Sequence, residues 1–300
     1  MCLGNKPVSL RYLLPNMALN SYLQLLRVPQ WYKNLVVFLA IFFSGNVLNF
    51  PLLSTTVLAF FSLCLISSAG YIINDIIDRK SDQLHPENKH RPLATGVISP
   101  ALALVIVFIL LGIGVWIGAT ISIPFLSLLA ALFVLTLLYT FLLKKIIIAD
   151  VLAISILFVL RALAGAVAIQ VIISPWLVLV PFFLALFLAI GKRHSELLLL
   201  KEKAPSARKV LQEYTLSLTN SLMGISTSLL VISYALYSFL SPFNHLLYTL
   251  PFALYVIFRY YILITSGSII SRHPEKIVKD ALFITGIVLW TISTAFIIYL

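Results

Sequence analysis

Long apolar stretches alternate with short polar ones along the whole chain. Nine apolar stretches of helix length run near residues 35–50, 53–74, 100–119, 124–143, 148–169, 173–191, 214–239, 246–268 and 281–299. A helix rises about 1.5 Å per residue, so some 20 apolar residues cross a hydrocarbon core of about 30 Å. Within lipid, only helices and closed barrels satisfy their own backbone groups. A barrel would need short alternating segments, and none dominate here. The pattern predicts an all-α, polytopic membrane protein: a nine-helix transmembrane bundle forming a single domain over residues 1–300.

The connections fall into two classes. Those at 44–54, 119–125, 169–175 and 240–246 carry no Lys, Arg, Asp or Glu. Pro51, Pro124, Pro175 and Pro242 sit in or beside them, where proline opens a helix without losing a needed bond. The connections at 75–99, 191–213 and 269–280, together with Lys144 and Lys145, hold nearly every charge. Positive loops stay on the cytoplasmic side. The expected topology is therefore multi-pass in the plasma membrane, with the N-terminus and the charged loops in the cytoplasm and any active site facing it.

Composition agrees with this reading. The 300 residues are 61% hydrophobic and 10% charged, against about 25% charged in soluble domains. The net charge of +11 is accounted for by topology, so nucleic acid is not an expected partner. Residues 1–34 are mixed in character and have no clean cleavage site, which reads as an interfacial segment rather than a signal peptide. Cys2 and Cys64 are too few for a disulfide framework and too far apart for a metal motif.

Chemistry gathers at the end of the second apolar stretch, in Asn74-Asp75-Ile76-Ile77-Asp78-Arg79-Lys80-Ser81-Asp82. On a helix, Asn74, Asp75, Asp78 and Asp82 fall within roughly 100° of arc. Carboxylates so placed repel unless a cation sits among them. The segment is a candidate Mg²⁺ site of the sparse kind that holds substrate phosphates. Lys89 and Arg91 follow as phosphate ligands beside the metal. The bland alternative is a topogenic loop whose acids pair with its own bases.

Asp150 and Arg161 lie eleven residues apart in the fifth stretch, close to three turns, and so share a face. Arg161 is expensive in lipid and should turn inward toward an anionic substrate. Asp150 is expected to open a second acidic site facing the first, with Tyr139 and Lys144 or Lys145 at the adjoining helix end. A structural ion network is the alternative. Lys192 and Arg193 could clamp a diphosphate, or pair locally with Glu196. Arg27, Gln30, Lys33 and Asn34 cluster before the first stretch, where an amphipathic interfacial helix is the plain reading. Arg259 sits inside the eighth stretch and needs an interior partner or a phosphate. A transporter could also use intramembrane Asp150 and Arg161. The spans, however, turn wholly apolar toward the uncharged side.

The motif Asn74-Asp75-x-x-Asp78-x-x-x-Asp82, followed by Arg91-Pro92 and Gly96, resembles the first signature of the UbiA superfamily of intramembrane prenyltransferases. Pro29-Gln30-Trp31-x-Lys33-Asn34, the stretch Asp150 to Gly165, Phe187-Leu188-Ala189-x-Gly191-Lys192-Arg193 and His273-Pro274-Glu275 resemble the decaprenyl-phosphate phosphoribosyltransferase family within it. The resemblance spans nearly all of 25–300. It implies a UbiA-type bundle with Mg²⁺ on Asn74, Asp75 and Asp78 and with Asp82 close by. It further implies phosphoribosyl diphosphate as donor, a polyprenyl phosphate lipid as acceptor and a role in cell wall biosynthesis. Catalysis would fall to Asp75, Asp78, Asp82, Lys89, Arg91 and Asp150. Substrate phosphates would be held by Lys33, Asn34, Tyr139, Lys145, Arg161, Lys192, Arg193 and Arg259. Within the same superfamily, prenyl transfer from a prenyl diphosphate to an aromatic or lipophilic acceptor is the runner-up.

Overall fold

The computed structural model describes residues 20–84, 87–200, 209–243 and 245–300. Residues 1–19, His85, Pro86 and the basic residues Lys201, Lys203 and Arg208 lie outside the described residues. Among the described residues, eight helices are long and apolar enough to cross a membrane, and the chain is a multi-pass membrane protein. We number the apolar helices α1 (Val28–Phe43), α2 (Phe50–Ile77), α3 (Pro100–Ile121), α4 (Ile123–Phe141), α5 (Ala149–Ala168), α6 (Pro175–Leu200), α7 (Leu216–Leu240), α8 (Leu250–Thr265) and α9 (Ala281–Tyr299).

The start signals are legible residue by residue. Asn49, Ser99, Ser122, Thr215 and Asp280 each accept a hydrogen bond from a first-turn N–H of the helix that follows. Pro51, Pro100 and Pro124 sit just inside. Both devices deal with the orphan N–H groups of a helix start.

The first span departs from expectation. The expected stretch at 35–50 is shifted toward the N-terminus. Its helix begins at Val28, runs in tight 3-10 geometry to Val37 and continues as an α-helix only to Phe43. Gly45, with φ 73°, then turns the chain. The reason lies in its polar residues. Asn34 is buried in the bundle, where it bonds α2 and α5 instead of lying at an interface. Close approach to α5 is permitted by Ala162, Ala164, Gly165 and Ala166, because small residues let membrane helices touch backbone to backbone. A Cβ on Gly165 would overlap the Val37 carbonyl oxygen.

α2 packs along α3, and α5 packs against α1, α4 and α6. One apolar core joins α1, α2, α4 and α5 through Val37, Leu63, Leu129 and Leu157. A second joins α6 to α9 through Phe187, Met223, Tyr260 and Phe283. Apolar burial drives little in lipid, so interhelical hydrogen bonds add specificity. One such bond runs from Ser62 Oγ to the Gly114 carbonyl, at 2.8 Å. α2 and α5 are the most enclosed helices, and these two carry the acids and the arginine singled out above.

Candidate functional site

A cavity of about 620 Å³ opens among α1, α2, α4, α5 and α6 at the end of the bundle that carries the charged loops. α2 ends at Ile77, and Asp78 turns the chain into a short helix, Arg79–Leu84. The loop folds back on itself through Arg79 Nε to the Leu93 carbonyl (3.0 Å) and Gln83 Nε2 to the Ala94 carbonyl (3.1 Å). Gly96, with φ 81°, closes this segment in a conformation that favours glycine.

The acids of this loop meet cations from distant parts of the chain. Asp75 is held by Arg27, with Nε to Oδ2 at 3.2 Å and a second bond from Nη2, and by Arg91 Nη1 at 3.0 Å. The same Arg91 nitrogen donates to Asp82 Oδ2 at 2.7 Å, and Asn88 Nδ2 donates to Asp82 Oδ1 at 3.0 Å. Lys144 Nζ reaches Asn74 Oδ1 at 3.1 Å and the two oxygens of Asp78 at 2.7 and 2.8 Å. Burial pushes the Asp82 carboxyl above its ordinary range, against the pull of Arg91. Burial, and then the neighbouring Arg27, lower the Arg91 guanidinium.

The four expected metal ligands therefore do not converge on one point. Among the described residues, no three His, Cys, Asp or Glu side chains gather closely enough to hold a metal ion by themselves. Asn74 and Asp78 do converge, and a cation already lies between them, the Lys144 ammonium. An all-oxygen pair of this kind fits a hard divalent ion that takes its remaining ligands from phosphate and water.

The inner part of the cavity is organised differently. Arg161 is 4% exposed. Its Nε donates to Asn34 Oδ1 at 2.8 Å and its Nη1 to the Leu157 carbonyl at 2.7 Å, and among the described residues it has no acidic partner. Lys33 Nζ lies 5.9 Å from the ring centre of Tyr32 and 5.8 Å from that of Tyr71.

The remaining expected residues divide. Tyr139, Asn74, Asp75, Arg91, Lys33, Arg161 and Lys192 line the cavity. Asn34 stands directly behind Arg161. Lys89 and Lys145 are exposed and off the lining, and Lys144 takes the inward position between them and the acids. Arg259 pairs with Asp280 (Nη2 to Oδ2, 2.7 Å) away from the cavity.

Asp150 does not open a second acidic face. It is 0% exposed, receives Arg193 Nε at 2.9 Å and the Tyr214 hydroxyl at 2.7 Å, and is absent from the lining. Its position three turns from Arg161 still holds, but Tyr214 and Arg193 seal it off. Burial, then the hydrogen bond to Asp150, raise the Tyr214 phenol, which stays a donor. Arg193 is engaged in turn by Glu196, at 2.8 Å.

The cavity wall on α6 instead carries Lys192 and Glu196. Sequence reasoning treated Glu196 only as a local partner. The i, i+4 spacing of Lys192 and Glu196 was the available signal. Reasoning along the sequence also missed Tyr71, and the way two charged loops meet at the mouth. There His273 Nε2 lies 3.1 Å from Glu87 Oε2, and Nδ1 lies 3.1 Å from Glu275 Oε1.

Residues 34–195 match the UbiA prenyltransferase family. The decaprenyl-phosphate phosphoribosyltransferase of Corynebacterium glutamicum is 33% identical over 229 residues, covering 75% of this chain and 69% of that protein. The enzyme of the same name from Mycolicibacterium smegmatis is 34% identical over 233 residues, covering 75% and 72%. The solved structure of a UbiA homolog from Archaeoglobus fulgidus, bound to GPP and Mg²⁺, superposes with a TM-score of 0.72 at 21% identity, over 93% of this chain and 99% of that one. The fold, the acid-bearing end of α2 and these relatives agree, and the chain belongs to the UbiA prenyltransferase family.

Proposed function

We propose that this enzyme transfers a 5-phosphoribosyl group from phosphoribosyl diphosphate to a polyprenyl phosphate at the cytoplasmic face of the plasma membrane, releasing diphosphate. The observation that carries the reading is the charge of the cavity. Its lining bears seven Lys and Arg side chains against four Asp and Glu. Phosphoribosyl transfer brings together a diphosphate, a 5-phosphate and a lipid phosphate, and each needs cations. A prenyl diphosphate with an aromatic acceptor brings a diphosphate and at most one further anionic group, and so calls for fewer cations. The names of the two relatives support the same choice.

The leaving group is best served at the mouth. Arg27, Arg91 and Lys144 offer charge-assisted donors to the diphosphate as negative charge develops on it. A Mg²⁺ ion, held by Asn74 and Asp78 with Asp75 and Asp82 close by, would supply further neutralisation of that charge. The C1–O bond of ribose breaks with its electron pair leaving on the diphosphate. An oxygen of the lipid phosphate forms the new bond to C1 from the opposite face. A phosphate monoester is already a nucleophile at neutral pH, so no general base is required, and no His–carboxylate pair is assigned that role.

The test uses purified protein in detergent with phosphoribosyl diphosphate labelled in the ribose. Label should move into the organic phase only when polyprenyl phosphate is added. Label that stays aqueous under all conditions would refute the reading.

A further inference from the structure

We infer that Lys33 and Arg161, with Tyr71 beside both, form a subsite for a phosphate monoester in the inner part of the cavity, separate from the acid-bearing mouth, and that it receives the phosphate of the lipid acceptor. This rests on the reaction proposed above and decides where its second substrate lies.

Depth is read along α2. Arg161 bonds Asn34, and Asn34 in turn contacts Cys64 and Ser67 of α2 at 3.2 and 3.4 Å. Ser67 precedes Asp75 by eight residues, which is about 12 Å of helix. Arg161 therefore sits well inside the level at which the acids meet Arg27, Arg91 and Lys144. Lys33 lies between the two levels, over Tyr71, which is one turn before Asp75. Tyr71 lies close to Lys33 and Arg161, and on its outer side the Arg27 guanidinium lies 5.2 Å from its ring centre, so the ring marks the boundary with the mouth.

Charge gives the ligand class. A buried cation without an acid is costly inside a membrane and marks a functional position. Arg161 spends two of its five N–H donors, on Asn34 and on the Leu157 carbonyl, and is among the residues that line the cavity. Neither it nor Lys33 has a carboxylate partner among the described residues, whereas Arg27, Arg91 and Lys144 at the mouth each do. Two uncompensated cations on one cavity suit a dianion, and a phosphate monoester carries between one and two negative charges at neutral pH.

The walls give the source. Ile154, Leu157, Phe158 and Leu188 line the cavity alongside Arg161. A phosphosugar would lose water from its hydroxyls against them. A phosphate joined to a hydrocarbon chain puts the chain there and keeps its charge on the two cations. The intervening depth leaves room for a ribose and its diphosphate toward the mouth, with the lipid oxygen approaching C1 from within.

The test is binding to the full chain in detergent, without donor, read by calorimetry for farnesyl phosphate, farnesol and ribose 5-phosphate. Wild-type protein should bind farnesyl phosphate at least tenfold more tightly than farnesol. Lys33→Met and Arg161→Met should each erase most of that preference while farnesol binding stays unchanged, and Arg161→Lys should restore part of it. Because Arg161→Met could fail to assemble, Lys33→Met alone is decisive. A full phosphate preference in Lys33→Met overturns the subsite. If the variants lose ribose 5-phosphate and keep farnesyl phosphate, the lipid assignment is overturned and the phosphate is the donor's. Wild-type protein that binds farnesyl phosphate in this way yet transfers no phosphoribosyl group refutes the proposed reaction and leaves the subsite standing.

Discussion

Replacing Asp150 by Asn should damage the fold far more than the site. The carboxylate is 0% exposed and accepts from Arg193 at 2.9 Å and from Tyr214 at 2.7 Å. Asn keeps the shape and an acceptor for Tyr214 but removes the charge facing Arg193. A hydrogen bond to a charged group contributes about 1.5–3 kcal/mol, and stranding one member of a buried pair costs about 3–5 kcal/mol. Arg193 retains Glu196 at 2.8 Å, so the low end of that range, about 3 kcal/mol, is expected. The network also holds a strained turn. Ile148 has φ 67°, rare for a β-branched residue, and its N–H donates to the Tyr214 hydroxyl at 3.0 Å. Tyr214→Phe should therefore lose about 2–4 kcal/mol by removing both bonds. The assay is equilibrium unfolding in mixed dodecyl maltoside and dodecyl sulfate micelles. Adding Arg193→Met to Asp150→Asn should recover most of the loss, because removing both charges avoids the uncompensated one. If Asp150→Asn unfolds like wild type and instead abolishes divalent-metal binding or turnover, Asp150 belongs to the site and the reasoning fails.

Three further outcomes follow from the same geometry. Lys144→Met should raise Mn²⁺ affinity, measured by calorimetry without donor, about fivefold, the equivalent of about 1 kcal/mol for a partly exposed ion pair; unchanged affinity would mean the ammonium does not occupy the cation position. Gly165→Ala should destabilise the bundle by about 1–3 kcal/mol, since the clash is with the Val37 backbone, which cannot step aside like a side chain; a wild-type unfolding midpoint would contradict the close α1–α5 approach. Asp280 caps α9 and is held below the ordinary aspartate value of 3.8 first by its hydrogen bond from Arg259. A depressed carboxyl stabilises the folded state above the ordinary value and loses that contribution as pH falls through the depressed one. The stability gap between wild type and Asp280→Asn, whose side chain can still cap, should thus be full near neutrality and shrink in acid below 3.8; a gap that grows in acid would reverse the assignment.

The spans were legible because lipid imposes a length and a composition that few other constraints do. α9 covers the expected 281–299, and the other long helices start or stop within a few residues of expectation. The first begins earlier, at Val28, because Arg27, Gln30, Lys33 and Asn34 read as an interfacial helix until their partners were known. Asn74 to Asp82 was legible as an acid cluster from spacing alone. Its partners were not. Arg27 and Lys144 lie 48 and 66 residues from the acids they hold, and no local periodicity links them. Asp150 shows the limit most plainly. Helical phase put it on the same face as Arg161, but whether a face meets a cavity or another side chain depends on Tyr214, which comes from the segment before α7.

The central claim is the identity of the transferred group. Purified wild-type protein with Mg²⁺ should be given two substrate pairs in parallel, phosphoribosyl diphosphate with a polyprenyl phosphate, and a prenyl diphosphate with 4-hydroxybenzoate, and its lipid products weighed by mass spectrometry. The account predicts a phosphoribosylated polyprenyl phosphate, with diphosphate release, from the first pair and nothing from the second. A prenylated aromatic product from the second pair, with the polyprenyl phosphate recovered unchanged from the first, would contradict it.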